Sequence, residues 1–395
     1  MTDESIEWLI VGGGIHGVHI AARLLGETDL SPVNLRILDP GKQLLDRWNQ
    51  STARVGMTHL RSPSVHHLDL HPWSLLEFAE QKSDQYFPNF IPPFDRPNLS
   101  LFKDHSESVI NHYELSDIHI QDKAVSCSLQ DDGVLVQLSK GSEIKTNQII
   151  FAIGSSEEPE WPKWAEKFDE HIDHIFDPNF KNWPTTPEII SVVGGGISAA
   201  QVALRLTNEG HEVHLVSRHS LRQHRFDSDP GWLGPKLMKK FNKVSCVNTR
   251  RSMISEARHK GSVPPDVYQA LEQAIQNEQL YWYEDEIHSL NCNGSDLLLT
   301  LSNQKDIRTQ RILLATGFKS NRPGGPMMDT LIKSASLPCA QCGYPIVDSE
   351  LRWHPKIYVS GPLAELEIGP AARNIAGARR AGDRLVNAYK SLAYT

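Results

Sequence analysis

Cysteine is scarce in this chain: Cys127, Cys246, Cys292, Cys339 and Cys342 are the five in 395 residues. So few, and odd in number, exclude a disulfide framework and fit a reducing compartment. Basic charge is not in excess either. Lys and Arg total 40 against 48 Asp and Glu, a formal net charge of −8. A general binder of nucleic acid carries the opposite balance, so that class of partner is set aside. No run of about 18 apolar residues occurs, so no span of a membrane is expected. A secretory leader begins basic and continues apolar. Here Asp3, Glu4 and Glu7 precede Trp8-Leu9-Ile10-Val11, which enters glycines at once. The expectation is a cytoplasmic protein.

What is present is a motif that occurs twice. The apolar run Trp8 to Val11 leads into Gly12-Gly13-Gly14-Ile15-His16-Gly17 and then a helical pattern from Val18 to Leu25. Ile189 to Val193 leads likewise into Gly194-Gly195-Gly196-Ile197-Ser198-Ala199 and a helical pattern from Ala200 to Leu206. A strand, GxGxx(G/A) and an amphipathic helix, followed each time by a second apolar strand, specify a dinucleotide-binding unit. The first glycine permits the tight turn, and the second removes the Cβ that would block a pyrophosphate. The third position, Gly17 or Ala199, lets helix and strand pack closely. The helix N-terminus then offers N–H groups and its positive dipole end to phosphate.

The second strands separate the two ligands. Asn34 to Leu38 ends at Asp39-Pro40, and Asp39 lies 27 positions after Gly12. A carboxylate there accepts hydrogen bonds from ribose hydroxyls, which suits FAD or NAD. Glu212 to Val216 ends instead in Ser217-Arg218-His219, with Arg222 and Arg225 nearby. A guanidinium at that place grips a 2′-phosphate, which suits NADP. Two further apolar strands end in Ala-x-Gly, at Ala152-Ile153-Gly154 and Ala315-Thr316-Gly317. Each closes one nucleotide-binding segment.

At roughly 150 residues per domain the length suggests two or three units. Pro159, Pro162, Pro178, Pro184 and Pro187 mark a linker near residues 155–188. The expected fold is α/β, with two Rossmann-like, three-layer dinucleotide-binding domains. The FAD-binding domain takes 1–185 and 310–395, and the NADP-binding domain is inserted at 186–309.

With these elements the sequence resembles the two-dinucleotide-fold flavoproteins, in particular flavin-dependent monooxygenases of the lysine/ornithine N-monooxygenase-like branch. Four more stretches carry the resemblance: His59-Leu60-Arg61-Ser62-Pro63, Phe226 to Trp232, Ser262-Val263-Pro264-Pro265, and Ser360-Gly361 through Asn374. The resemblance implies that Leu60 to Pro63 lie beside the isoalloxazine. It also implies that Gly369-Pro370-Ala371 start a helix aimed at the flavin pyrimidine edge. The activity it implies uses NADPH to reduce FAD, with molecular oxygen as co-substrate. A C4a-hydroperoxyflavin then oxygenates a small nucleophilic nitrogen or sulfur compound. Arg61, Asp227 and Asp229 are the candidate catalytic side chains, chosen by proximity.

Cys339-Ala340-Gln341-Cys342 opens a second possibility, an FAD/NAD(P)H oxidoreductase that passes electrons to a disulfide, quinone or protein acceptor. The pair follows Ala315-Thr316-Gly317 rather than either glycine turn, which argues against a redox-active disulfide. His66, His67 and His71 are bracketed by Pro63 and Pro72. No acidic residue completes a ligand set, so no metal is expected.

Overall fold

The computed structural model describes residues 6–82, 89–165, 171–293 and 296–392. Asp3 and Glu4 lie outside these residues. Two parallel sheets organise the chain. In the first, the glycine-turn strand Ile6–Val11 lies between Leu35–Asp39 and Glu143–Phe151, parallel to both. His119–Gln121 extends one edge beyond Leu35–Asp39, and Ile357–Val359 joins Glu143–Phe151 on the other side, again in parallel. The hairpin Ala124–Gln130 and Gly133–Leu138 attaches antiparallel to Glu143–Phe151. Parallel strands covered by helices on both faces read as continuous apolar runs. Accordingly Trp8, Leu9, Ile10 and Val11 are all buried. The turn helix Ile15–Glu27 packs against the C-terminal helix Ile375–Leu392 over this core.

The second sheet is wholly parallel, in the order Leu280–Glu284, Glu212–Ser217, Ile189–Val193, Arg311–Leu314, Ile172–His174. Its glycine-turn strand again has neighbours on both sides, and Ile190, Ser191 and Val192 are fully buried. A three-stranded antiparallel sheet, Ile287–Asn293, Asp296–Leu301 and Asp306–Thr309, forms the excursion before Arg311–Leu314.

Strand pairing draws the second sheet from a wide span of the chain. Ile172–His174 and Arg311–Leu314 both complete the second sheet, so it takes residues from outside 186–309 on either side. Backbone pairing decides membership here: Arg311–Leu314 hydrogen-bonds along the glycine-turn strand of the second sheet. The proline-marked stretch is therefore partly strand rather than wholly linker.

Candidate functional site

The two glycine turns are built alike. Gly12 has φ +115°, and a Cβ there would sit 2.4 Å from the Ala152 carbonyl oxygen. Gly194 has φ +153°, and a Cβ there would sit 2.5 Å from the Ala315 carbonyl oxygen. Each turn thus closes on the Ala of an Ala-x-Gly segment. The same backbone hydrogen bond ties each pair of strands: Ala152 N–H donates to Val11, and Ala315 N–H donates to Val193, both at 2.8 Å. In contrast, nothing lies within 4 Å of a Cβ built on Gly14, and only the Gly261 backbone, at 3.6 Å, faces one on Gly196. A ligand backbone therefore has room at the middle of each motif. The helices Ile15–Glu27 and Ile197–Asn208 begin there with no side-chain cap and no acid in the first turn. Their first N–H groups are left for a phosphate.

Asp39 stands where the first motif needs it. Its carboxylate accepts from Gly13 N–H at 2.7 Å and from Gly41 N–H at 2.8 Å. Each oxygen keeps capacity for a further donor. Pro40 follows in the same turn. His16 is buried beside Gly361 and pairs through Nδ1 with Ser360 Oγ at 2.8 Å. Its Nε2 is buried without a partner among the described residues. Burial holds its pKa down to about 4, so the ring is neutral at pH 7. An orphaned ring nitrogen at this place fits a ligand group that completes it.

The second strand end differs. The Ser217 hydroxyl donates to the His219 carbonyl and accepts from Trp282 Nε1, both at 2.9 Å. Arg218 is exposed and makes no hydrogen bond or ion pair among the described residues. Arg222 is exposed as well, reaching only the Lys260 carbonyl at 3.5 Å. Arg225 stacks over Phe94 with 5.3 Å to the ring centre, turned toward the first unit. His219 was not anticipated: its ring packs against both Gly195 and Gly261. Thr316 Oγ1 donates to the Glu160 carbonyl and lies 3.2 Å from His174 Nε2, and Gly317 adopts φ +87°.

Arg61 and Asp227 come together at 2.8 Å. Arg61 also donates to the carbonyls of Arg225 and His224 and to Ser262 Oγ, at 3.0, 2.6 and 2.9 Å. The group expected beside the flavin thus clasps the second unit to the first. Asp229 accepts from Gly231 N–H at 2.7 Å and caps the short helix Pro230–Leu233. Other arginines reinforce the clasp. Arg96, buried, donates to the Leu60 carbonyl and to both oxygens of Asp266. Arg54 donates to the carbonyls of Asp177 and Phe180. Arg205 donates to those of Ala53 and Arg54. No sequence motif announces these contacts, because their partners lie far away along the chain.

Gly369, at φ +89°, opens a four-residue 3-10 helix, Pro370–Arg373, and extended Asn374 separates it from Ile375–Leu392. The expected helix start is therefore one short turn. A Cβ on Gly369 would meet Met238 Sδ at 3.1 Å. The helix Pro235–Asn242 covers this turn.

The remaining candidates sit apart from the turns. Cys339 packs against the first core and Cys342 is exposed, both as free thiols. Both ring nitrogens of His67 are bonded to backbone, at Pro72 and Asp69. No group of three metal-binding side chains occurs among the described residues. No described helix is long and apolar enough to cross a membrane.

The family model for pyridine nucleotide-disulphide oxidoreductases matches residues 9–248, more than half of the chain. The chain belongs to that family. It is an oxidoreductase with two dinucleotide-binding folds. Among solved structures it is similar to an ornithine N-hydroxylase of Kutzneria sp. 744 described with reduced FAD, NADP+ and L-ornithine. The TM-score is 0.79 at 16% identity, over 99% of this chain and 100% of that one. It is similar also to a bacillithiol disulfide reductase of Bacillus cereus, with TM-score 0.65 at 14% identity over 98% and 100%. A flavin-containing monooxygenase of Stenotrophomonas maltophilia gives TM-score 0.62 at 16% identity over 99% of each chain. No curated protein sequence matches.

Proposed function

We propose that this chain is an FAD- and NADPH-dependent monooxygenase acting on a small nucleophile containing nitrogen or sulfur. One observation carries the reading: two equivalent glycine turns end in opposite chemistry, the Asp39 carboxylate in one and the unpartnered Arg218 in the other. Gly12, Gly14, Ile15, His16, Gly17, Asp39 and Pro40 would hold the adenosine and pyrophosphate of FAD. Gly154, Leu60, Arg61, Gly361, Gly369, Pro370 and Ala371 would line its remainder. Gly194, Gly196, Ile197, Ser198 and Ala199 would take the NADPH pyrophosphate. Ser217, Arg218, Arg222 and Arg225 belong to its adenosine end, and Ala315, Thr316 and Gly317 to the far wall. FAD, when bound, accepts hydride from NADPH and activates molecular oxygen. The protein binds, orients and excludes water. Arg61 and Asp227 act as positioning residues that hold one unit on the other, and Asp229 sets the helix carrying Trp232.

The alternative, electron transfer through Cys339 and Cys342, is disfavoured by their place. They lie in the connection after Gly325–Ser334, and burial raises the Cys339 thiol pKa, opposite to what a reactive thiol needs.

A rapid-mixing experiment tests the reading. Flavin-loaded protein is reduced with NADPH without oxygen and then mixed with oxygen. A flavin absorbance transient distinct from the oxidised and reduced spectra is expected. Immediate reoxidation, with turnover only when an electron acceptor is added, would sink it.

A further inference from the structure

A cleft of about 660 Å³ opens between the helices Ile197–Asn208 and Pro265–Gln276. Gly56 and Ile91 border it from the first unit. None of the residues given above to FAD or NADPH lines it. Its size is that of a small-molecule site. Gln201, Leu204, Arg205 and Asn208 recur at helical spacing and so turn one face toward it. Val267, Ala270 and Ala274 line it from the other helix, and the two alanines leave space that longer side chains would fill.

Gln201 is the buried polar member of this lining. It is 7% exposed, and its Oε1 has no partner among the described residues. A buried amide oxygen left unpaired is costly, and a donor brought by a ligand removes the cost. The charges beside it are already satisfied. Arg205 is bonded to Glu209 at 2.8 Å and to the Ala53 and Arg54 carbonyls at 3.1 and 2.9 Å. Asp266 holds Arg96 through both oxygens, at 2.6 and 3.2 Å. An ionic ligand would therefore enter without a free counter-charge. No aromatic ring lines the cleft among the described residues, so a flat base or aryl group has no stacking surface. What remains is amide and aliphatic. Leu204, Val267 and Ala274 supply the aliphatic part, and Asn208, Gln273 and Asn277 stand exposed around it. Each side-chain amide offers two donors and an acceptor, the mixed set that neighbouring hydroxyls match.

We propose that this cleft binds an uncharged polyhydroxyl compound of sugar size. One hydroxyl donates to Gln201, and others meet the exposed amides. Carbon-bound hydrogens lie on Leu204, Val267 and Ala274. Arg205 reaches the Ala53 and Arg54 carbonyls from this cleft, so an occupant adds contacts where the two units already meet. The inference goes beyond the monooxygenase reading and does not rest on it.

The test measures binding to flavin-loaded protein by saturation-transfer NMR, with glucose, glucuronate and glucosamine as probes. The three share one ring and differ in charge. Glucose is expected to bind saturably, and the two charged sugars about tenfold more weakly. Gln201→Leu should weaken glucose binding about tenfold. Ala270→Phe, which fills the cleft, should abolish it. Flavin absorbance and melting temperature confirm that the variants are folded, and if Gln201→Leu does not fold, Ala270→Phe decides. No saturable glucose binding, equal binding of all three sugars, or unchanged glucose affinity in either folded variant overturns the proposal.

Discussion

At the first glycine turn, a Cβ on Gly17 would sit 1.8 Å from the Gly12 carbonyl oxygen; at the second, Ala199 carries that methyl and is buried. The two turns share strand, helix and closing Ala-x-Gly, yet differ in how tightly the helix lies against the turn. They differ again one layer out. A Cβ on Gly13 would meet Asp39 at 2.9 Å, whereas one on Gly195 would meet His219 at 2.8 Å. The same backbone solution thus presents a carboxylate from one sheet and an imidazole with a free neighbouring arginine from the other. Binding a dinucleotide is a property of the shared frame. Choosing between two dinucleotides is a property of the strand end.

Among substitutions, breaking the tighter turn gives the largest effect. Gly17→Ala is expected to cost about 3 kcal/mol and to yield protein without flavin, read by thermal melting and the flavin absorbance of purified protein. Ala199→Gly at the matching position should cost about 1 kcal/mol, from helix propensity alone, with flavin retained. Equal loss from both changes would erase the distinction between the turns.

Next is the strand-end difference. Arg218→Ala should raise the KM for NADPH about tenfold to a hundredfold and leave that for NADH within roughly twofold. Steady-state oxidation of the two nucleotides decides it, and equal changes would remove the 2′-phosphate assignment. A smaller effect is expected at the joint between the units. Arg61→Gln should slow flavin reduction by NADPH about tenfold through misplacement, with flavin content unchanged. Single-turnover reduction measures this; unaltered reduction would show that the clasp does not position the nucleotide.

A separate test, on stability alone, is pH. His16 in the first unit and His174 in the second are both lowered to about 4, mainly by burial. Between an unfolded value near 6.5 and about 4, the unfolded state binds protons that the folded state refuses. Stability therefore falls as pH drops through that window, by up to about 1.4 kcal/mol per unit for each histidine. Melting temperatures from pH 7 to 4.5 should decline in both units. A flat profile would show that neither imidazole is held neutral.

Much of this was legible because it is local. Glycine spacing, apolar strands and the identity of residue 39 all lie within about thirty positions of one another. Asp39 and the room at Gly14 were both foreseeable. His219 was harder to foresee, since its packing on Gly195 depends on Gly261, more than forty residues later. Sheet membership is less legible, because a strand joins whichever sheet its backbone pairs with, and proline frequency does not report that.

Local covalent restraint is what the sequence by itself determined: positive φ at Gly12 and Gly194, uncapped helix starts, and an acid or a base at each strand end. Tertiary structure alone decided how the units meet. Arg61 finds Asp227 across 166 positions and Arg96 finds Asp266 across 170. A guanidinium's partner is set by which surfaces pack together, and that depends on the whole apolar core rather than on any neighbouring residue.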